Sequence, residues 1–332
     1  MIRSKIIGLG SHLPEKRLTN PDLEKIVDTS DEWIRTRTGI VERRILDGSL
    51  ATTDMAMDAT EKALKIAGLK PEEIDLIIFA TVTPDYRLPS ASCILQKKMG
   101  FKNAGTFDIV AACAGFIHGL SVADAYIKIG KFKNILVIGA ETLSTITDYT
   151  DRNTCVLFGD GAGAVILSAS DEDSGVLSTF FKSDGNQAEL LWIREGGSLT
   201  PVQTMKDNTK NVYIEMNGSE VFKHAVRQMA DASQRSLKSA GLKSSDVSWL
   251  IPHQANIRIM DATAKRLGIP REKVFVNIQK YGNTSAASVP IALDEVYREG
   301  KLKDGDIVLM TAFGGGLTWA SAVVKWQELN HE

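Results

Sequence analysis

Cysteine, long apolar runs and excess charge are all scarce in this chain of 332 residues. Its three cysteines show no CxxC spacing, so the sequence indicates neither a disulfide framework nor a zinc site. The formal net charge of -2 argues against a general nucleic-acid-binding protein, which needs a strongly basic surface. No apolar run is long enough to cross a bilayer, and the N-terminal residues lack a signal peptide's apolar core. We therefore predict a cytoplasmic protein with no metal, nucleic-acid partner or membrane span.

The sequence contains an internal duplication. The segment LKIAGLKPEEIDLII at 64–78 recurs as LKSAGLKSSDVSWLI at 237–251, and with gaps the match extends from 97–142 to 264–313. In this register Cys113 lies opposite Asn283, and His253 lies opposite Ala80. Two copies of one unit are therefore expected to pack together, with matching strand ends meeting near a pseudo-two-fold axis.

Strands and helices alternate within each copy, a pattern that predicts mostly parallel sheets covered by helices on both faces. We expect an α/β protein with two domains, 1–172 and 173–332, stacked in five layers α/β/α/β/α. Residues 183–220 have little periodicity and several glycines, so we interpret them as an insertion or loop region.

Cys113 is the first candidate for chemistry, because it lies between a predicted strand, Phe107–Val110, and a predicted helix. A thiol at a helix N-terminus lies near unpaired N–H groups and the positive end of the helix dipole, so thiolate is favoured. The small residues around Cys113 leave room for a substrate carbonyl. The ordinary alternative is a small core residue, which is the more common role of a free cysteine.

His253 in LIPHQAN and Asn283 in KYGNTSAAS also lie at predicted strand-to-helix junctions. A cysteine can act as a nucleophile, while histidine and asparagine can direct N–H donors at a developing oxyanion. Taken singly, His253 would be a core histidine and Asn283 a turn residue. Their joint placement favours a site. Other histidines and cysteines are assigned structural roles: His12, His118, His224, His331, Cys93 and Cys155.

Two glycine-rich motifs have some features of nucleotide-binding loops. GDGAGA at 159–164 fits a dinucleotide-binding pattern, but a predicted strand follows it where that motif requires a helix. FGGGLTWAS at 313–321 lacks the lysine of a phosphate-binding loop. We interpret it as one wall of an oxyanion hole, with close sheet packing as the alternative.

Cys113, PHQAN at 252–256, GNTSAAS at 282–288 and FGGG at 313–316 together resemble β-ketoacyl-acyl-carrier-protein synthase III. The N-terminal segment TNPDLEKIVDTSDEWIRTRTGIVERR and the motif MNGSEVFKHAV, with Gly218, are also similar to this family. The resemblance covers nearly the whole chain. It implies the thiolase-like fold and a cytoplasmic homodimeric acyltransferase that initiates fatty acid biosynthesis.

The resemblance also implies a ping-pong mechanism without a cofactor, since acyl-coenzyme A is a substrate. Cys113 would take the acyl group, and His253 and Asn283 would hold malonyl-acyl carrier protein while it loses carbon dioxide. The N–H groups of Cys113 and Gly315 would form the oxyanion hole. Phe313 would supply an apolar wall that favours loss of the carboxylate.

The substrate contacts follow from the same resemblance. Trp33 and Arg152 would enclose the adenine of coenzyme A, and Arg37 would meet its phosphates, although composition alone predicts a solvated loop for 29–44. The residues expected to dock the acidic carrier protein are Lys223, Arg258, Lys265 and Arg266. Leu88 replaces the phenylalanine that limits the acyl pocket across the dimer in well-known members, which leaves room for a longer or branched primer.

Three other functions compete with this prediction. A relative of the same fold in polyketide or quinolone metabolism would use the same three residues. A cysteine hydrolase also uses Cys, His and Asn, but in a different fold without a duplicated unit. A non-catalytic acyl-coenzyme A binding protein would add no acyl group to Cys113.

Overall fold

The computed structural model describes residues 2–201 and 212–329. Its strands are β1 (Arg3–His12), β2 (Arg17–Thr19), β3 (Glu42–Arg44), β4 (Leu76–Ala80), β5 (Gly105–Ile109), β6 (Asn134–Thr142), β7 (Asp160–Ser170), β8 (Gly175–Ser183), β9 (Leu191–Trp192), β10 (Glu215–Met216), β11 (Trp249–Pro252), β12 (Ile307–Gly314) and β13 (Thr318–Lys325). Its α-helices are α1 (Asn20–Leu23), α2 (Asp31–Thr38), α3 (Thr52–Ala67), α4 (Ala91–Met99), α5 (Gly115–Lys128), α6 (Arg152–Cys155), α7 (Gly218–Ser239), α8 (Ile257–Leu267), α9 (Ile278–Tyr281) and α10 (Ser288–Arg298).

The predicted loop region at 183–220 is only partly described. Its described part contains β9 and β10, which pair as a short antiparallel ribbon ahead of α7. Residues 202–211 of this region and His331 lie outside the described residues.

Two mixed sheets repeat one strand order. The first runs β1-β7-β6-β4-β5, and the second runs β8-β13-β12-β11. In the first, β4 pairs in parallel with β5 and β6, whereas β7 is antiparallel to β6 and β1. In the second, only β11 and β12 are parallel. The prediction of mostly parallel sheets is therefore wrong. A turn of three residues, 315–317, joins β12 to β13, which is too short for a parallel crossover.

Helices cover both outer faces of the sheets and fill the space between them. One apolar core packs α3 and α4 against the first sheet, and another packs α7 and α8 against the second. The central core contains α5 and α10, which lie between the two sheets. Because burial of apolar area is the main driving force for folding, these three cores fix the layers relative to one another. The predicted five-layer α/β/α/β/α arrangement is confirmed.

The two central helices begin at equivalent junctions. A 3₁₀ turn, Ala112–Ala114, precedes α5, and a second 3₁₀ turn, Ser285–Ala287, precedes α10. The first residue of each turn has a left-handed backbone, with φ of 45° at Ala112 and 49° at Ser285. The two turns contact each other between the sheets.

This equivalence corrects the register of the duplication. Cys113 corresponds to Ala286, and not to Asn283 as the sequence match predicted. The error arises because α5 has 14 residues and α10 has 11. A match that aligns the glycines after the two helices is therefore shifted where the helices begin.

The cap of α1 is Thr19, whose hydroxyl accepts from the Asp22 N–H at 3.4 Å, while Asn20 is buried and donates to the Ile40 carbonyl at 2.9 Å. One of the structural assignments made for the cysteines needs correction. Cys93 is exposed on α4 and is not a core residue, whereas Cys155 is buried as predicted.

Within 2–201 and 212–329, no helix is long and apolar enough to span a bilayer. The same residues contain no group of three or more His, Cys, Asp or Glu side chains arranged to hold a metal ion.

Candidate active site

Cys113 lies in the 3₁₀ turn between β5 and α5, partly exposed to a cavity. The turn is held by the Ala111 carbonyl, which accepts from the Ala114 N–H at 3.1 Å and from the Thr318 hydroxyl at 2.9 Å. Gly314 at the end of β12 lies against the same turn. A Cβ atom at Gly314 would lie 2.6 Å from the Cys113 nitrogen, so only glycine allows this approach.

A single cavity of about 1150 Å³ joins the predicted site residues. Its lining includes Cys113, His253, Asn283, Phe313, Trp33, Arg37, Gly218, Lys223 and Arg258. The three residues predicted for catalysis therefore open onto one space. Because they come from both halves of the duplication, the cavity is complete only when the halves pack together.

His253 follows β11 and is 1% exposed. Its backbone N–H donates to the Thr311 carbonyl at 2.7 Å, and its Nδ1 lies 2.6 Å from the Ser288 hydroxyl. That hydroxyl also accepts from the Gln254 N–H at 3.2 Å, so its own hydrogen is available for Nδ1. The hydrogen-bond pattern thus assigns the ring hydrogen to Nε2. Burial lowers the pKa of His253 to about 3, so the ring is neutral at physiological pH.

Asn283 is held from both sides by the backbone. Its N–H donates to the Leu157 carbonyl at 2.9 Å, and its carbonyl accepts from the Gly159 N–H at 3.0 Å. The side-chain Oδ1 accepts from the Ser285 N–H at 2.9 Å. This bond occupies the acceptor oxygen and leaves the amide Nδ2 as a donor. Asn283 and His253 can therefore both donate N–H hydrogens to an oxyanion in the cavity they share.

The Cys113 thiol is protonated in this environment. Burial raises its pKa to about 12, a hydrogen bond with Ser285 lowers it, and the nearby Glu141 carboxylate raises it. The prediction that the helix N-terminus favours thiolate is therefore wrong. Cys113 lies in the 3₁₀ turn and not within α5, and burial removes the solvation that a thiolate needs. A nucleophilic role for Cys113 would then include removal of the thiol proton.

One wall of the cavity is apolar. Phe313 at the end of β12 is 4% exposed and stacks on Trp319, with ring centroids 6.4 Å apart. Gly315, predicted as an oxyanion donor, follows Phe313 by two residues but is not among the residues that line the cavity. The motif FGGG thus brings an aromatic wall and a close-packed glycine, Gly314, next to Cys113.

The rim of the cavity carries cations around one indole. Trp33 and Arg37 lie one turn apart on α2, and the Arg37 guanidinium lies 5.8 Å from the Trp33 ring centroid. The Arg152 guanidinium lies 5.2 Å from the same centroid and donates to the Asp28 carbonyl at 2.9 Å. The region 29–44 is therefore not the solvated loop that composition predicts, because it forms a cation–aromatic cluster at the entrance.

Comparisons with known proteins identify the family of this chain. The family models for the 3-oxoacyl-[acyl-carrier-protein (ACP)] synthase III domain and its C-terminal domain match residues 107–185 and 237–326. A beta-ketoacyl-[acyl-carrier-protein] synthase III of Caldanaerobacter subterraneus subsp. tengcongensis is 54% identical over 329 residues, 98% of this chain and 99% of that protein.

Solved structures agree. The 3-oxoacyl-[acyl-carrier-protein] synthase III of Aquifex aeolicus is 54% identical with a TM-score of 0.90, covering 97% of this chain and 100% of that one. The Pseudomonas aeruginosa enzyme is 40% identical with a TM-score of 0.90, covering 99% and 100%. The chain belongs to the β-ketoacyl-[acyl-carrier-protein] synthase III family. The predicted thiolase-like fold and acyltransferase of fatty acid biosynthesis are confirmed, and an enzyme of specialised metabolism is not favoured.

Some residues predicted for the candidate site lie away from the cavity. Leu88 is 87% exposed on the loop after β4, and it does not line the cavity of this chain. Lys265 and Arg266 are exposed in the last turn of α8, whereas Arg258 at its start lies at the cavity with its guanidinium 5.7 Å from the Phe222 ring centroid. Lys223 pairs with Glu220 at 2.7 Å.

Sequence reasoning missed the polar groups behind the candidate site. Ser288 fixes the ring of His253, Ser285 orients Asn283, and Glu141 lies buried beside Cys113. A signal for Glu141 was present, since an acid directly follows the apolar run ILVIGA of β6. Ser285 and Ser288 lie within the quoted motif GNTSAAS, but a serine there is equally common in a turn.

Proposed function

We propose that Cys113 accepts an acyl group from acyl-coenzyme A and that His253 and Asn283 then serve condensation with malonyl-acyl carrier protein. The observation that carries this proposal is that all three side chains open onto one cavity. In the first half-reaction, the sulfur attacks the thioester carbonyl and coenzyme A leaves. In the second, malonyl loses carbon dioxide and its enolate attacks the acyl-cysteine, which releases 3-oxoacyl-carrier and the free thiol.

The neutral donors explain how decarboxylation is favoured. As the carboxylate leaves, negative charge moves to the thioester oxygen, where His253 Nε2–H and Asn283 Nδ2–H would donate. Such preorganised donors act strongly in a site that excludes water. A charged carboxylate in place of Asn283 would repel both the malonyl group and the enolate. Phe313 would face the leaving carboxylate and disfavour its charged form.

Coenzyme A would enter at the cation–aromatic cluster on the cavity rim. Arg152 and Trp33 would separate to enclose the adenine, and Arg37, exposed at the same rim, would meet a phosphate. Gly218 lies at the N-terminus of α7 and lines the cavity, so the pantetheine arm would pass this glycine on the way to Cys113. No separate cofactor is required by this reaction.

The carrier protein would dock on the exposed cations beside the entrance. Arg258 and Lys223 lie at the cavity, and Lys265 and Arg266 extend the positive surface along α8. Complementary charge increases the association rate with an acidic partner.

The Cys113 and Gly315 N–H groups would hold the tetrahedral oxyanion in each half-reaction.

A homodimer would complete the acyl pocket. The edge strand β5 of the first sheet ends at Ile109, and the next residue, Val110, is 79% exposed, while Leu88 on the loop after β4 is 87% exposed. An unpaired edge with apolar side chains favours association. Sedimentation equilibrium would test the dimer, and a primer series from acetyl to branched acyl groups would test the space left by Leu88. A cytoplasmic location stays a prediction.

The function is tested with purified protein, acetyl-coenzyme A and malonyl-acyl carrier protein. We expect an acetyl group on the Cys113 peptide by mass spectrometry after the first substrate alone, and 3-oxoacyl-carrier after both. Hydrolysis of the thioester without a new carbon–carbon bond would indicate a hydrolase. Binding without an added acetyl mass would indicate a non-catalytic acyl-coenzyme A binding protein.

A further inference from the structure

A buried carboxylate lies behind the nucleophile. Glu141, near the carboxyl end of β6, is 0% exposed, and among the described residues it has no ion-pair partner. An unpaired buried charge is costly, so the hydrogen bonds around it determine its state. Nothing in the condensation described above uses this group.

Three donors saturate one oxygen of this carboxylate. Glu141 Oε2 accepts from the Thr83 hydroxyl at 2.6 Å, the Val82 N–H at 3.0 Å and the Thr81 hydroxyl at 3.1 Å. Each hydroxyl is itself an acceptor, Thr81 from the Thr83 N–H at 3.0 Å and Thr83 from the Thr142 N–H at 2.8 Å. Both hydroxyl hydrogens must therefore point at Oε2. A proton on this carboxyl group can only be placed on Oε1.

Oε1 is linked to the Cys113 thiol by the single hydroxyl of Ser285. The Ser285 hydroxyl donates to Glu141 Oε1 at 3.1 Å and is also hydrogen-bonded to the Cys113 thiol. Because its one hydrogen goes to the carboxylate, Ser285 accepts from the thiol. The structure thus contains a continuous path from the Cys113 sulfur through Ser285 to Glu141.

We propose that Glu141 receives the Cys113 thiol proton through Ser285 during acylation, and returns it when condensation frees the sulfur. Cys113 gives its proton to the Ser285 oxygen, and Ser285 passes its own to Oε1. The thiolate attacks the acyl thioester, and coenzyme A leaves as a thiolate that takes a proton from solvent. When the enolate displaces Cys113, the released thiolate recovers the proton stored on Glu141. The overall reaction consumes one solvent proton, so the steps balance.

The pKa of Glu141 lies near neutrality and well below that of the Cys113 thiol, so the proton is transferred only as the sulfur attacks the thioester. Burial raises the pKa of Glu141 to about 7, and its hydrogen bonds to Thr83, Val82, Ser285 and Thr81 lower it less. Carboxylate and acid therefore interchange near neutral pH. A stored proton also leaves Glu141 uncharged when the malonyl anion enters, which removes a repulsion.

Other titratable groups near the end of β6 are engaged elsewhere. On the adjacent β7, Asp160 accepts from the Leu46 N–H at 2.8 Å and the Ser144 hydroxyl at 2.7 Å. On the loop after β4, Asp85 accepts from Thr53 and lies 3.7 Å from the Lys98 ammonium. On α5, His118 is hydrogen-bonded to the Ala114 carbonyl. His253, which follows β11, is neutral near pH 7. Cys113 is thus the group to which Glu141 is coupled.

The inference rests on the proposed function, because it concerns acylation of Cys113. The test compares the native chain with Glu141→Gln and Ser285→Ala, following acetyl transfer to Cys113 by quenched-flow mass spectrometry from pH 5.5 to 9. For the native chain we expect a rate that falls below pH 7, where Glu141 is protonated. General-base removal is typically worth about 100-fold or more. We therefore expect each variant to be roughly 100-fold slower at pH 7 and its rate to rise about tenfold per pH unit.

A double variant and a matched control separate the relay from a structural role. If both residues serve one path, Glu141→Gln/Ser285→Ala will be no slower than either single variant. Ser4→Ala removes another buried serine–carboxylate bond, to Asp124, and should leave the pH profile unchanged. Thermal melts identify a variant that fails to fold. If Glu141→Gln fails to fold, the acetylation rate of the native chain is compared with those of Ser285→Ala and of Glu141→Asp, which keeps an acid.

A second readout does not depend on coenzyme A. Iodoacetamide alkylation of the Cys113 peptide, resolved from the exposed Cys93, should show the same loss in Glu141→Gln. If the native chain is alkylated but never acylated, the proposed function is wrong. The relay is then tested only by comparing the alkylation rate of Glu141→Gln with that of the native chain. A folded Glu141→Gln that keeps the native pH profile within twofold in both assays would overturn the relay.

Discussion

The junction before α5 and the junction before α10 share one backbone and divide the chemistry between them. Both begin with a left-handed residue, Ala112 or Ser285, and both continue into a central helix. The first carries the sulfur among alanines, whereas the second carries donors and hydroxyls. The comparison teaches that the duplicated fold supplies two equivalent junctions, and that under the proposed function the nucleophile lies at one and the oxyanion donor Asn283 lies beside the other.

The largest effect is expected when the sulfur is removed from its junction. Cys113→Ala should lower condensation by roughly 10⁴-fold or more, because no other group forms the acyl intermediate. The matched variant Cys113→Ala/Ala286→Cys moves a thiol to the equivalent position before α10. It should remain unacylated by mass spectrometry, because Ala286 is 1% exposed and does not line the cavity through which acyl-coenzyme A would enter. Acylation at position 286 of the double variant would show that the two junctions are interchangeable.

A second test separates the two half-reactions. His253→Ala or Asn283→Ala should slow decarboxylation of malonyl-acyl carrier protein by roughly 10²–10³-fold, the usual cost of losing an oxyanion donor. Acetylation of Cys113 should change far less, because these donors face the malonyl carbonyl. Carbon dioxide release and acetyl mass are measured on the same preparations. Equal losses in both would mean that the donors also serve acylation.

Much of this division could be predicted from sequence. Motifs of fixed spacing around Cys113, His253 and Asn283 identified the site, and the recurring segment at 64–78 and 237–251 identified the duplication. The register of the junctions could not be predicted, since helix length sets it and α5 and α10 differ by one turn.

The protonation state of the site could not be predicted from the sequence either. Whether a thiol at a helix start is ionised depends on how much water reaches it, and that follows from how the halves pack. For the same reason Glu141 could not be assigned a role, because an acid after a buried strand is equally compatible with a surface loop. Mixed sheet pairing depends on the short turn between β12 and β13, which the FGGG motif contains but which alternation alone does not reveal.

A smaller effect should follow from the glycine that only the second junction requires. Gly282 has φ of 70°, and a Cβ atom there would lie 2.8 Å from the Leu157 carbonyl oxygen, while the equivalent residue of the first junction is Ile109. Gly282→Ala should lower the free energy of unfolding by about 3 kcal/mol from strain and contact together. The control is Gly300→Ala, with φ of 66° and no atom within 4 Å, expected to cost about 1 kcal/mol. If denaturant titrations show equal losses of unfolding free energy for the two variants, the loop around Gly282 can move to accommodate the added Cβ atom without cost.

The smallest effect compares the two left-handed residues themselves. An L-residue in this region costs about 1–2 kcal/mol, and replacing it by glycine returns part of that cost because glycine also gains entropy when unfolded. Ala112→Gly should therefore stabilise the fold by about 0.5–1 kcal/mol. Ser285→Gly relieves the same strain but removes the hydroxyl that binds buried Glu141, a loss of about 1–3 kcal/mol, so it should destabilise. Opposite signs in matched denaturant titrations would show that strain at the first junction only positions the sulfur, whereas at the second it is offset by a bond to the proton acceptor. Equal signs would contradict that division.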